Sequence, residues 1–372
     1  MRKMKRFNLI LMAFLLCGGI LASNPEKVDY KKNFVVGTPE IESINAIAFA
    51  PEGILLIGDS KTASIVAIDT KDNEQKAAGE FSINNIDQLI ADALGTETSD
   101  VDIRDMAVNP VSNNIYLAIH ANGDQPVILK LVGDQLEAVP LTDVSYSAIS
   151  LNAPVANDAK DRRGRSQRNW AVSDLSFYKD QVMVTGLSNK EFSSTFRSIQ
   201  FPFEEKQTLS SLEIYHAAHG KYETYAPIKA FTAATVGGKD HLIASYTCTP
   251  LVVFPMSSLK PDTHVKGRTV AELGNWNTPL DMIVLEKDGE SYLLMANSSR
   301  ALMKFKFSDI ASFDGALTTQ VEERAGTDGV DFINLPFVNV QQLDKLGDDQ
   351  FVFIQRKGNG DLDLVTQNNR WL

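Results

Sequence analysis

Three aspartates stand at the same place in three copies of one short phrase. Asp105 follows Ile103-Arg104, Asp174 follows Val172-Ser173, and Asp281 follows Pro279-Leu280. Carboxylates brought round a common axis could hold a hard cation, and Ca²⁺ is the ion such an all-oxygen set would take. They could also raise one another's pKa and supply a general base. The structural alternative is that each accepts backbone N–H groups and fixes its own strand. One position earlier the aligned copies read Asn45, Arg104, Ser173, Lys229, Leu280 and Gln341. Arg104 and Lys229 could pair with the aspartates or hold an anionic ligand.

Other candidates lie between these phrases. His216 and His219 are three residues apart, a spacing that permits a metal site on a helix, although their flanks look like strands and no cysteine is near in sequence. Cys248 has no acid–base neighbour in sequence and is read as a buried thiol. Polar loops follow the second strands and include His120, Asn297 and Arg300, which could line a binding face or could be ordinary turn chemistry. Residues 152–170 form a long polar segment carrying Arg162, Arg163, Arg165 and Arg168, four guanidinium groups on an acidic chain. Arginine forks suit carboxylate or phosphate, and a solvated loop tethered by Asp158 and Asp161 is the plain alternative. The chain has no Gly-x-Ser-x-Gly elbow, phosphate loop, haem motif or Cys-x-x-Cys pair.

The elements that must position these residues come from the repeat itself. Its six copies begin at residues 44, 103, 172, 228, 279 and 340. Each is a short strand, then a turn, then a continuous apolar strand such as Ile54-Leu55-Leu56-Ile57 or Phe351-Val352-Phe353-Ile354. An apolar run without alternation needs cover on both faces, as in the middle of a blade packed between neighbours. This is the pattern of an all-β, six-bladed β-propeller. Seven blades remain the alternative if 141–170 or 204–226 holds a degenerate copy. The spacing at the two ends predicts that residues 33–36 form the outer strand of the last blade and close the ring. Ile86, Leu89, Ile90 and Leu94, followed by Gly95, predict one short inserted helix over 86–94.

The N-terminus reads as an export signal spanning 1–23, with the propeller domain spanning 24–372. Arg2, Lys3, Lys5 and Arg6 precede the apolar run from Leu9 to Leu16, and small residues follow up to Ala22 and Ser23. Lipidation at Cys17 is the alternative to ordinary cleavage, but Leu16 is bulky where a lipoprotein signal wants a small residue. No later run is long enough for an integral membrane segment. Removing 1–23 takes the formal charge from −11 to −15, because that segment carries four positive charges and no negative ones. Such a balance disfavours nucleic acid and anionic membranes as partners and suits a periplasmic or extracellular protein. Cys248 would then be the single cysteine, so the fold must rest on its core.

Several segments resemble an uncharacterised group of exported bacterial propeller proteins. They are Lys160 to Arg165, His216 to Thr224, Tyr246 to Val252, Thr278 to Met282 and Met295 to Arg300, within a likeness spanning most of 85–345. The resemblance implies a signal peptide and a propeller, and it brings no catalytic residues. More distantly the blades resemble gluconolactonase-like and surface-layer propellers, but the metal-binding Glu of the gluconolactonase type has no clear match. The functional expectation is an exported propeller that binds a small polar or anionic molecule, or a protein partner, at the channel mouth. Two alternatives stand beside it. One is a metal-assisted hydrolase or lactonase using Asp105, Asp174 and Asp281. The other is a subunit that docks a redox partner.

Overall fold

The structure, a computed structural model, describes residues 28–372; the expected export signal lies outside them. Among the described residues the strands form six sheets, one for each copy of the phrase. We number these blades by the order of their inner strands, which are Ala46–Ala50, Val101–Val108, Asp174–Tyr178, Ile228–Val236, Pro279–Lys287 and Val340–Leu346. The second strands are continuous apolar runs because they are buried on both faces; Ile54–Asp59 and Ile115–Ala121 are buried throughout. Pairs of neighbouring blades share six hydrophobic clusters, so each blade face is covered by the next blade. The ring has six blades, not seven.

The blades do not follow one another in chain order. One cluster joins Leu55 and Ile57 of blade 1 to Tyr116 and Ala118 of blade 2. Another joins Leu117 of blade 2 to Ile354 of blade 6, and a third joins Leu56 of blade 1 to Val184 of blade 3. Around the axis the order is therefore 1, 2, 6, 5, 4, 3, and inner-strand neighbours agree with it. The chain achieves this by a double seam. After Ser64–Asp69 it leaves blade 1, crosses under blade 2, and adds Ser82–Ile83 as the outer strand of blade 6. It then builds blade 2 and returns to blade 1 with Val144–Ser150, which pairs with Ser64–Ile68.

This corrects the expected closure. Val35–Gly37 pairs with Val144–Tyr146 at the outside of blade 1, and the edge of the last blade is filled by Ser82–Ile83. Both solutions hide sheet edges, but a two-residue strand is too short to announce itself by periodicity. The crossing segment is held by Asp72. Its carboxylate accepts from Ser112 Oγ at 2.8 Å, from Asn114 Nδ2 at 2.8 and 2.9 Å, and from Tyr116 OH at 2.9 Å.

The expected helix forms as Ile86–Leu94, designated α1, between residues in left-handed conformation at Asn85 and Gly95. Its buried face carries Ile86 and Ile90 into the cluster between blades 2 and 6. No helix among the described residues is long and apolar enough to cross a membrane.

Candidate functional site

The inner strands bring Asp105, Asp174 and Asp281 round the axis, and Asp344 joins them. All four line one cavity of about 540 Å³ along the channel. Each carboxylate accepts two backbone N–H groups. Asp105 takes Met106 N at 2.8 Å and Ile47 N, from blade 1, at 2.7 Å. Asp174 takes Leu175 N at 2.7 Å and Phe231 N, from blade 4, at 2.8 Å. Asp281 takes Met282 N and Leu343 N, from blade 6, both at 2.7 Å. Asp344 takes Lys345 N at 2.7 Å and Val108 N, from blade 2, at 2.6 Å. Each aspartate thus stitches its own inner strand to the next blade round the ring.

Depth in the ring and the charges of one another push these carboxyls up. Asp105 and Asp281 are raised well above the usual carboxylate range, Asp174 to about 8, and Asp344 to about 6. In every case burial is the main cause; neighbouring carboxylates add to it for the first three. Each side chain keeps part of its surface on the channel. Asp344 escapes the sequence pattern because it sits two places further along the aligned phrase than the other three.

Near the start of the aligned phrase, four inner strands carry a β-bulge, and in two of them the bulge directly precedes an axial aspartate. The pairing register skips one residue at Arg104, Lys229, Leu280 and Gln341. A bulge re-aims side chains at the end of a strand. Lys229 is partly buried and lies over the Trp170 ring, 3.3 Å from its centroid. It is lowered to about 8, mainly by burial, with the charges of Arg165 and Arg104 adding to the effect. Among the described residues it has no acidic partner. Arg104, exposed, pairs with Asp102 at 2.9 Å.

The arginine loop belongs to the same face. Arg168 donates to Lys61 O, in the second loop of blade 1, at 3.0 Å and to Val155 O at 2.7 Å. Asp161 organises the tip by accepting Arg163 N, Arg165 N and the Arg165 guanidinium, the last at 2.7 Å. Arg163 and Arg165 themselves stay exposed. Of the two acidic residues expected to tether the loop, Asp161 does so, and Trp170, which no sequence motif marks, is what the loop sets against Lys229.

The remaining candidates on this face hold loops and blades together. His120 Nε2 accepts Ile44 N at 2.9 Å, and its Nδ1 faces Asp124. The Asn297 side chain accepts Arg300 N at 2.8 Å, while Arg300 donates to Ala325 O at 2.5 Å.

A second constellation lies where blade 3 hands over to blade 4. His216 ends the strand Gln207–His216, and a 3₁₀ turn, Ala217–His219, brings His219 back over it. The two rings lie 3.9 Å apart. Glu223, buried, accepts from His216 Nδ1 at 2.9 Å and from His219 Nδ1 at 2.8 Å. Burial would raise Glu223, but those two histidines outweigh it and hold the carboxyl at about 2. Cys248 arrives from the second loop of blade 4, and ligand atoms of His216, His219 and Cys248 lie within 4.8 Å of one another. His216 Nε2 is buried without a partner, as is Glu272 Oε1. Burial pushes the Cys248 thiol up, and Glu272 and Glu223 add to it. Cys248 and Glu272 escape the sequence pattern because they are near only in space. The spacing His216, His219, Glu223 is the one visible signal.

No family model and no curated protein matches this sequence. Among solved structures, the chain is similar to the PQQ-bound form of aldose sugar dehydrogenase from Streptomyces coelicolor. That likeness has 11% identity and a TM-score of 0.32, over 90% of this chain and 98% of that one. It is similar to an oxidoreductase described as a glucose dehydrogenase from Thermus thermophilus, at 12% identity and 0.35, over 90% and 98%. It is also similar to a GH43 endo-arabinanase from Bacillus licheniformis, at 13% identity and 0.34, over 69% and 90%.

Proposed function

We propose that the protein binds a small organic anion, a carboxylate or phosphate ester, at the channel mouth above the aspartate ring. The observation that carries this reading is Lys229. It is a partly buried ammonium group laid on Trp170, with no acidic partner among the described residues and with Arg104 and Arg165 close enough to repel it. A cation in that position is costly unless an anion completes it. Arg104, whose charge reaches Lys229, stands at the equivalent bulge of its own inner strand and adds to the positive field there.

Hydrolysis through the aspartates is less well supported. Both oxygens of each carboxylate already hold a backbone N–H, which leaves them suited to fixing blades together. Export of the chain is part of the proposal and rests on residues 1–23 alone. N-terminal sequencing of the secreted protein should begin at Ser23 or Asn24.

The binding test uses Trp170 as its reporter. Organic carboxylates and phosphate esters, with neutral sugars as controls, are titrated while fluorescence and melting temperature are followed. An anion should change the fluorescence and raise the melting temperature, because it binds only the folded state. Lys229→Met should abolish both effects and leave the unliganded melting temperature unchanged or higher. A protein indifferent to every anion at millimolar concentration would overturn the proposal, as would a Lys229→Met variant that responds like the wild type.

A further inference from the structure

We propose that His216, His219 and Cys248 form a binding site for a borderline-soft transition ion, zinc(II) being the ion the donor set best fits, with Glu223 as the carboxylate behind both imidazoles. The reading is independent of the anion site and concerns a different part of the face.

The argument starts from tautomers. Glu223 can only accept, so both histidines must donate to it from Nδ1. In a neutral imidazole this leaves the lone pair on Nε2. A carboxylate behind the ring is the arrangement that orients metal-bound histidines. His216 is only 2% exposed, and its Nε2 has no partner of any kind among the described residues. A buried acceptor without a donor is uncommon, and an ion would satisfy it.

The third donor is placed by backbone strain. Cys248 and Thr249 have φ of +67° and +51°, in the left-handed region that ordinary side chains disfavour. This tight turn, anchored by Cys248 N donating to Asn277 O at 2.7 Å, sets the thiol beside the two rings. Donors about 2.0–2.3 Å from a tetrahedral ion stand roughly 3.5 Å apart. The observed limit of 4.8 Å therefore closes with small side-chain movements.

Two nitrogens and a sulfur choose the ion class. Thiolate and imidazole suit zinc or copper and reject Ca²⁺ and Mg²⁺, which want oxygen. Three protein donors leave a fourth position open to a water molecule. The unpartnered Glu272 Oε1 is near enough for its charge to act on Cys248, and it offers that water an acceptor. On binding, the ion replaces the thiol proton, which leaves to solvent.

The experiment titrates cobalt(II), then zinc(II) in competition, into the full mature chain after chelation. One cobalt ion per chain should bind, with a thiolate-to-cobalt absorption band in the near ultraviolet. Cys248→Ser should lose that band. His219→Ala, at an exposed ring, should weaken affinity at least tenfold, and Glu223→Gln by about 10–100-fold. The melting temperature of each variant in chelator separates lost binding from lost folding. In wild-type protein, zinc should also protect Cys248 from alkylation, a readout that needs no substitution. Absence of the cobalt band, unaltered affinity in Cys248→Ser, or alkylation unaffected by zinc would each overturn the site.

Discussion

Raised carboxyls make the axis a source of pH-dependent stability. Asp174 is pushed to about 8 in the folded chain, mainly by burial, against an ordinary value near 4. The folded state then holds a proton that the unfolded state has lost, so stability falls as pH rises through this window. Glu272, raised to about 7 mainly by burial, acts in the same sense. His120 acts oppositely at lower pH. Burial holds it below its ordinary value, so its contribution is present above about 6.5 and is lost on acidification. Lys229, lowered to about 8, also acts oppositely once pH approaches 8, so the clean window is about pH 6.5–7.5. There the melting temperature should fall with rising pH, by on the order of 1–2 kcal/mol of stability. Asp174→Asn, which cannot titrate, should make the slope shallower, while Asp105 and Asp281, raised in the same sense, keep part of it. A wild-type melting temperature that rises across this window would refute the assignment.

Short connecting segments hold the ring and its mouth. Asp72 receives bonds from three side chains of blade 2, so Asp72→Ala strands Ser112, Asn114 and Tyr116 at once. We expect a loss of about 3 kcal/mol in urea unfolding, since unsatisfied polar groups cost about 1–3 kcal/mol each with partial relaxation. A loss under about 1 kcal/mol would mean that the crossing segment is held elsewhere. Gly186 connects packing to the proposed site. A Cβ there would lie 2.3 Å from Ala171 O and 2.7 Å from Trp170 O. Gly186→Ala should therefore shift the segment that carries Trp170. Its expected cost is roughly 1–3 kcal/mol, together with weaker anion binding, read from the same fluorescence titration.

At the scale of the whole molecule, the double seam ties distant parts of the chain into shared sheets. Blade 1 combines strands from either side of blade 2, and blade 6 takes its edge from residues 82–83. Neither end of the chain can fray as a separate blade without opening a sheet that belongs to another region. We expect one cooperative transition, with circular dichroism and tryptophan fluorescence coinciding through urea unfolding. Two resolved transitions would show that the seams do not couple the ring.

What the sequence determined by itself is whatever rests on local pattern. Continuous apolar second strands such as Ile54–Asp59, the inner-strand phrase, and the spacing of Ile86, Ile90 and Leu94 all report burial on nearby faces. Those features place six blades, α1 and three of the four axial aspartates. Tertiary structure alone decided which blade touches which. Strands as short as Ser82–Ile83 carry no periodicity, and the hydrogen bonds that close a sheet are indifferent to chain distance. The same indifference hid both sites. Lys229 meets Trp170 from another blade, and Cys248 meets His216 and His219 across a blade boundary. A side chain's chemistry is set by its neighbours in space, and these neighbours are tens of residues away along the chain.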